Sequence, residues 1–243
     1  MKVSMGTVLT EEEYQEKIYY LNKILANPKA DSLHQINQKI IMGILSVLEE
    51  KGISCFLEFN SLLGKVRDNN YIPWSKSVIV SAINENSPHE NLEVEQYLND
   101  HYTNEKFYEN MSCSSIIVAH NGYKKTTESL IDHENKIHHS TAIGLLHRRS
   151  PLPFRKFEIW PMVKSKGNGN WYHERFHNNL HDITDNEIFP LKECELHGIK
   201  TFMPNESEKH LQRLYGDNWQ TPMTKKHSKY HYEYVSARKQ KKL

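Results

Sequence analysis

Charge of one sign is the first thing missing. The 31 Lys and Arg against 30 Asp and Glu leave a formal net charge of +1, so nothing draws the chain from a distance toward nucleic acid or an anionic membrane. The basic ARKQKKL at residues 237–243 reads as a solvated tail. Cysteine is scarce: Cys55, Cys113 and Cys194 are far apart, odd in number and form no CxxC pair. That excludes a disulfide framework and makes a reducing compartment the simpler expectation. No apolar run approaches the roughly 20 residues of a membrane span, and the N-terminus does not read as a signal peptide. The expectation is a soluble, cytoplasmic protein that binds no nucleic acid. Internal repeats and low-complexity blocks are also lacking.

What is present is a polar globular chain, 37% hydrophobic and 25% charged over 243 residues. That length suits one large domain or two small ones. Thr10 with Glu13 three residues later is a capping box, and Tyr14, Ile18, Leu21 and Leu25 recur at helical spacing behind it. A second helix is expected after NPKADS. Asp31 or Ser32 would cap it, Ile36, Ile40, Ile44 and Leu48 form its apolar stripe, and Gly52 stands at its C-terminal stop. The period then shortens to that of strands in ISCFLEF, SKSVIVSA, SSIIVAH and FRKFEIWPM. Residues 84–112 read as a polar excursion with a short helix near NLEVEQYLNDHY, and KSKGNGNW as a loop. ESEKHLQRLYG suits a helix stopped at Gly216. Helices followed by mixed strands and helices predict an α+β fold. The division expected is an N-terminal helical pair at 1–52, a main domain at 53–225 and a polar tail at 226–243.

Within NSLLGKVRDNNYIPWSKSVIV (residues 60–80) a strand, a hydroxyl-bearing turn, a helix and a second strand follow one another. Such a unit can cradle phosphates, because backbone N–H groups at the turn and helix start point at the anion. Asn60 and Ser61 would form that turn, LLGKVR the helix, and Arg67 could add a charge-assisted contact. Two carboxylates at i and i+2 of the following strand would share a face and hold one Mg²⁺ against the phosphates. Here that pair is Ser77 and Ile79.

The stretch resembles the signature of the LicD family, G-T-L-L-G-x-x-R followed by I-P-W-D-D-D-I-D. This family includes bacterial phosphocholine transferases and the fukutin-like ribitol-phosphate transferases. KFEIWPM resembles its V-D-I-F-P-L strand. FPLKECELHGIKTFMPNESEKHLQRLYGDNWQTP resembles its closing block, P-L-x-x-x-x-F-x-G-I-x-x-x-x-P then L-x-x-x-Y-G-D-x-W-x-x-P. The three blocks lie in order between residues 58 and 222. The resemblance implies a nucleotidyltransferase-type mixed sheet flanked by helices. It implies transfer of a phosphorylated alcohol, phosphocholine or a polyol phosphate, from a CDP-linked donor to a glycan with Mg²⁺.

Carried over residue by residue, Ser61 stands at the family's small hydroxyl position, Asn60 replaces its glycine, and Gly64 and Arg67 match. These four are the expected nucleotide and phosphate contacts. Ser75, Lys76 and Ser77 occupy the D-D-D run, closer to the fukutin-like branch, and Ile79 takes the last aspartate. Glu158 stands at the third carboxylate, so Glu158 and Ser77 are the catalytic candidates and Glu158 the metal candidate. A neutral hydroxyl and an alkyl group supply little to a hard cation. Metal stabilisation of a transferring phosphoryl group is worth several kcal/mol, so the expected activity is weak or lost. Glu58 and Asp68 are the nearby carboxylates that could substitute, against simpler roles as a sheet-edge charge and a turn aspartate. The alternative is an inactive relative that holds nucleotide or glycan without turnover.

A different class is suggested by HERFH at 173–177, a literal H-E-x-x-H. On a helix it would bind zinc through His173 and His177 with Glu174 as general base, as in a metalloprotease. The third ligand of that pattern is missing, and 15 His in the chain make chance matches easy. His181 extends the spacing by four, which also describes an exposed polar helical face. The pairs at His138–His139 and His227–His231 read as loop and tail, and Arg148 and Arg149 as solvent-facing charges before a proline turn.

Overall fold

The computed structural model describes residues 8–50, 52–75, 77–84, 116–120, 141–145, 156–164, 169–173 and 182–222. The expected helix near 91–102, the His138–His139 pair, Arg148, Arg149 and the tail lie outside these residues. Among the described residues no helix is long and apolar enough to cross a membrane.

Helix α1 (Glu11–Leu25) opens on the predicted capping box: the Glu13 N–H donates to the Thr10 hydroxyl and the Thr10 N–H to the Glu13 carboxylate. Tyr14 and Leu21 are its buried residues. Helix α2 (Pro28–Glu50) begins earlier than expected. Asp31 and Ser32 lie inside it rather than capping it, because Pro28 has no N–H to lose at a first helical position and its φ is already helical. Ile41, Ile44 and Leu48 are buried. Gly52 ends the helix at φ +72, with the Gly52 and Ile53 N–H groups returning to the Glu49 and Leu48 carbonyls.

The main sheet runs β1 (Ser54–Leu57), β2 (Ser77–Asn84), β5 (Lys156–Lys164), β4 (Thr141–Leu145), β3 (Ile116–His120), with β6 (Trp171–His173) also paired to β5. Among the described residues only β2 and β5 pair in parallel, in a continuous eight-residue register from Ser77 beside Lys156 to Asn84 beside Val163. Helix α3 (Phe59–Asp68) follows β1 directly. After α4 (Asp185–Ile188), β7 (Lys192–Leu196) and β8 (Ile199–Met203) form a separate hairpin. Its two-residue turn, His197 and Gly198, has φ of 48° and 79°, the combination that matches the twist of paired strands. Helix α5 (Ser207–Tyr215) stops at Gly216, φ 88°. This is an α+β fold.

One face of the sheet carries Cys55, Leu57, Val78, Val80, Ala82, Phe157 and Ile159 into a core shared with α2, α3, the hairpin and α5. The opposite face places Phe56, Ile83 and Met162 against Trp171, Ile183 and Ile188. Burial raises the thiols of Cys55 and Cys194 to about 12 and about 11, so both stay protonated. The hairpin tip is fixed at α2: the Gln38 amide donates to the His197 carbonyl, and His197 stacks on Tyr71 at 4.5 Å. Burial, with the charges of His34 and Lys65, lowers His197 to about 4.

Candidate functional site at the start of strand β2

Glu58 is the last extended residue before α3, and Phe59 then turns the chain at φ 49°. A phenylalanine in the left-handed region costs on the order of 1–2 kcal/mol. Complete burial of its ring holds it there. The turn brings Asn60 and Ser61 into the first turn of α3 beside β2. The Ser61 hydroxyl, buried, accepts the Ile79 N–H at 2.7 Å, and the Asn60 side-chain oxygen accepts the Tyr215 hydroxyl at 3.1 Å.

Gly64 and Arg67 belong to the other end of the helix. A Cβ on Gly64 would lie 2.4 Å from the Asn70 carbonyl oxygen and 3.2 Å from the Ile72 nitrogen. Glycine is therefore what lets the post-helix loop fold back, with Asn69 left-handed and the Asn70 N–H donating to the Gly64 carbonyl. Arg67 is six residues beyond Ser61, roughly 9 Å along the helix axis. Its guanidinium donates to both Asp68 oxygens at 3.0–3.1 Å and to the Tyr14 hydroxyl at 2.7 Å, and it lies 5.0 Å over the Tyr14 ring. Tyr14 in turn donates to Asp68 at 2.5 Å. This cluster joins α1 to α3.

On β2, Ser77, Ile79 and Ser81 alternate along one face. The register sets Ile79 beside Glu158. Ser77 is half-buried, and Ile79 is 5% exposed. The Ser75 hydroxyl donates to the Ser77 carbonyl at 2.9 Å and steadies the entry to the strand. Positions 77, 79 and 158, which the resemblance aligns with the family's carboxylates, therefore adjoin in the sheet, and two of them hold a hydroxyl and an alkyl group. That donor set does not fit a Mg²⁺ held by strand carboxylates. Among the described residues no group of three His, Cys, Asp or Glu is arranged to hold a metal.

The nearby carboxylates are engaged elsewhere. Asp68 is held by Arg67 and Tyr14, as described. Glu58 is no sheet-edge charge: it is fully buried, with Ser81 donating to one oxygen at 3.1 Å and His210 to the other at 2.9 Å. The opposite His210 nitrogen donates to Glu187 at 2.9 Å, and Arg213 donates to both Glu187 oxygens at 3.0 and 2.7 Å. Burial alone would depress the His210 imidazole, but the charge of Glu58 and the bonds to both carboxylates raise it to about 9. Burial raises Glu187, and His210 and Arg213 outweigh it, leaving the carboxyl at about 2.

Sequence reading missed this network. Its signal was a histidine spaced with Leu211 and Leu214 on the apolar side of α5, which marks a polar group aimed into the core. The metalloprotease reading assumes a helix carrying both histidines. His173 ends strand β6, paired with Met162, so HERFH does not begin on a helix; Glu174–His181 fall outside the described residues. A groove of about 620 Å³ lies elsewhere, lined by Lys65, Lys192, Met203, Asn205 and Lys209, and does not include the β2 row.

The chain matches no curated protein sequence. Residues 52–206, from the end of α2 to the start of α5, match the family described as LicD/FKTN/FKRP, nucleotidyltransferase domain. With well over half its length covered by that match, the chain belongs to the LicD family.

Proposed function

We propose that this protein is a LicD-type phosphotransferase scaffold of nucleotidyltransferase type that binds a CDP-linked alcohol, with a glycan as acceptor, and transfers the phosphorylated alcohol weakly or not at all. The observation that carries this reading is the β2–β5 register, with Ile79 beside Glu158 and Ser77 two residues earlier. One carboxylate remains where the family's chemistry uses three. Each ~1.4 kcal/mol lost from transition-state stabilisation is a tenfold loss of rate, and a metal supplies several kcal/mol. The donor phosphates would approach the Asn60–Ser61 turn, while Gly64 and Arg67 shape and anchor α3. Residues 53–225 as one domain and a cytoplasmic location are parts of the same proposal.

Calorimetric titration with CDP-choline and a CDP-polyol, with and without Mg²⁺, tests it. The expected result is binding that is indifferent to Mg²⁺, with turnover at or near zero; tight Mg²⁺-dependent binding would overturn the degenerate site. The Ser77→Asp/Ile79→Asp double variant sharpens the test. Ile79 is 5% exposed, so an unpaired aspartate there is costly. Mg²⁺ should then raise the melting temperature of the variant and not of the parent chain. No response would count against the strand alignment.

A further inference from the structure

Ile79 sits where the β1–β2 ladder runs out. The last paired residues are Leu57 and Val80. One step further the Glu58 N–H still donates to the Ile79 carbonyl at 3.0 Å. An antiparallel pair would complete this with the Ile79 N–H donating to the Glu58 carbonyl. That carbonyl is taken, because the chain has turned into α3 and the Ser61 and Leu62 N–H groups donate to it at 3.0 and 3.3 Å. The Ile79 N–H goes to the Ser61 hydroxyl instead, at 2.7 Å.

We propose that Ser61 is a positioning residue whose hydroxyl replaces the strand carbonyl withdrawn by helix α3, so that the start of β2 keeps its place in the sheet. A small hydroxyl residue suits this position because it supplies an acceptor one helical turn in, within reach of a strand amide. Combined with the reading under Proposed function, the same bond sets where a metal-binding side chain at position 79 would stand.

Amide hydrogen exchange at Ile79, read by NMR on the full chain, tests the structural claim without any ligand. Ser61→Ala should lower protection of the Ile79 amide by about tenfold, the worth of one hydrogen bond. Amides at Val80 and Ala82 should change little, and Ser61→Thr, which keeps the acceptor, should restore protection. Unchanged Ile79 protection in Ser61→Ala, or a loss spread equally over β1, β2 and β5 in both variants, would overturn the proposal. The metal claim is read in the Ser77→Asp/Ile79→Asp background. There Ser61→Ala should weaken Mg²⁺ binding by about tenfold and Ser61→Thr should not; equal binding by all three would refute it. If the double variant takes up no Mg²⁺ at all, the functional reading fails, and Ile79 exchange still decides the role of Ser61.

Discussion

One face of strand β2 borders two electrostatic settings. Around Ser81, two buried carboxylates, an imidazolium and a guanidinium cancel in charge, and their hydrogen bonds run Ser81–Glu58–His210–Glu187–Arg213. Two and four residues earlier, Ile79 and Ser77 bring no charge at all. Among the described residues, the members of the first group compensate one another. A row with aspartates at 77 and 79 beside Glu158 would carry three negative charges and require a cation. Charge is thus present where it joins β2, α4 and α5, and is missing at positions 77 and 79, where the proposed function would use it.

The largest way to break this contrast is His210→Leu. Replacing the imidazolium removes the cation that Glu58 and Glu187 share in a fully buried site and leaves Glu187 to Arg213. Removing one partner of a buried ion pair costs about 3–5 kcal/mol, so the urea midpoint should fall steeply with the m-value unchanged. A midpoint within error of the parent would mean that the network contributes little.

Proton titration probes the same network more gently. His210 is raised from 6.5 to about 9. Its contribution is therefore complete below pH 6.5 and lost as pH rises through about 9. Glu187 is lowered from 4.5 to about 2, so its contribution is complete above pH 4.5 and lost as pH falls toward 2. Stability should be greatest between about pH 4.5 and 6.5, with an alkaline decline on the order of 3 kcal/mol. Urea unfolding at pH 5.5, 7.5 and 9.5 reads this, and His210→Gln should flatten the alkaline limb. An equal alkaline loss in the variant would assign the decline to other groups.

These two experiments also show what the sequence could carry. The Thr10–Glu13 capping box, the Gly52 and Gly216 stops and the four strand segments are local patterns, and each reappears in the fold. The hairpin at His197–Gly198 and strands β4 and β6 were not read, because short strands in polar stretches owe their pairing to neighbours distant in sequence. At the site, the substitution of Ser77 and Ile79 was legible from motif alignment. The use of Glu58 was not: its partner His210 is 152 residues away, and no spacing rule links two such positions. Arg67 illustrates the same limit. Its charge suggested a phosphate, while its contacts with Asp68 and Tyr14 depend on where α1 packs.

The proposed ligand side of β2 can be probed for shape, and Gly64→Ala is the test with the smallest expected effect. If glycine serves the approach of a phosphate, an added methyl group should weaken CDP-alcohol binding and leave folding alone. The geometry argues otherwise, since the new Cβ meets backbone atoms of Asn70 and Ile72 at 2.4 and 3.2 Å, and backbone has no rotamer by which to yield. Overpacking of this kind costs typically about 1–3 kcal/mol. The expected outcome is a lower urea midpoint, with any nucleotide affinity changed less than the stability. A variant as stable as the parent but poorer at binding would return Gly64 to the ligand and show that the signature helix serves the proposed site, in which Ser77 and Ile79 carry no charge.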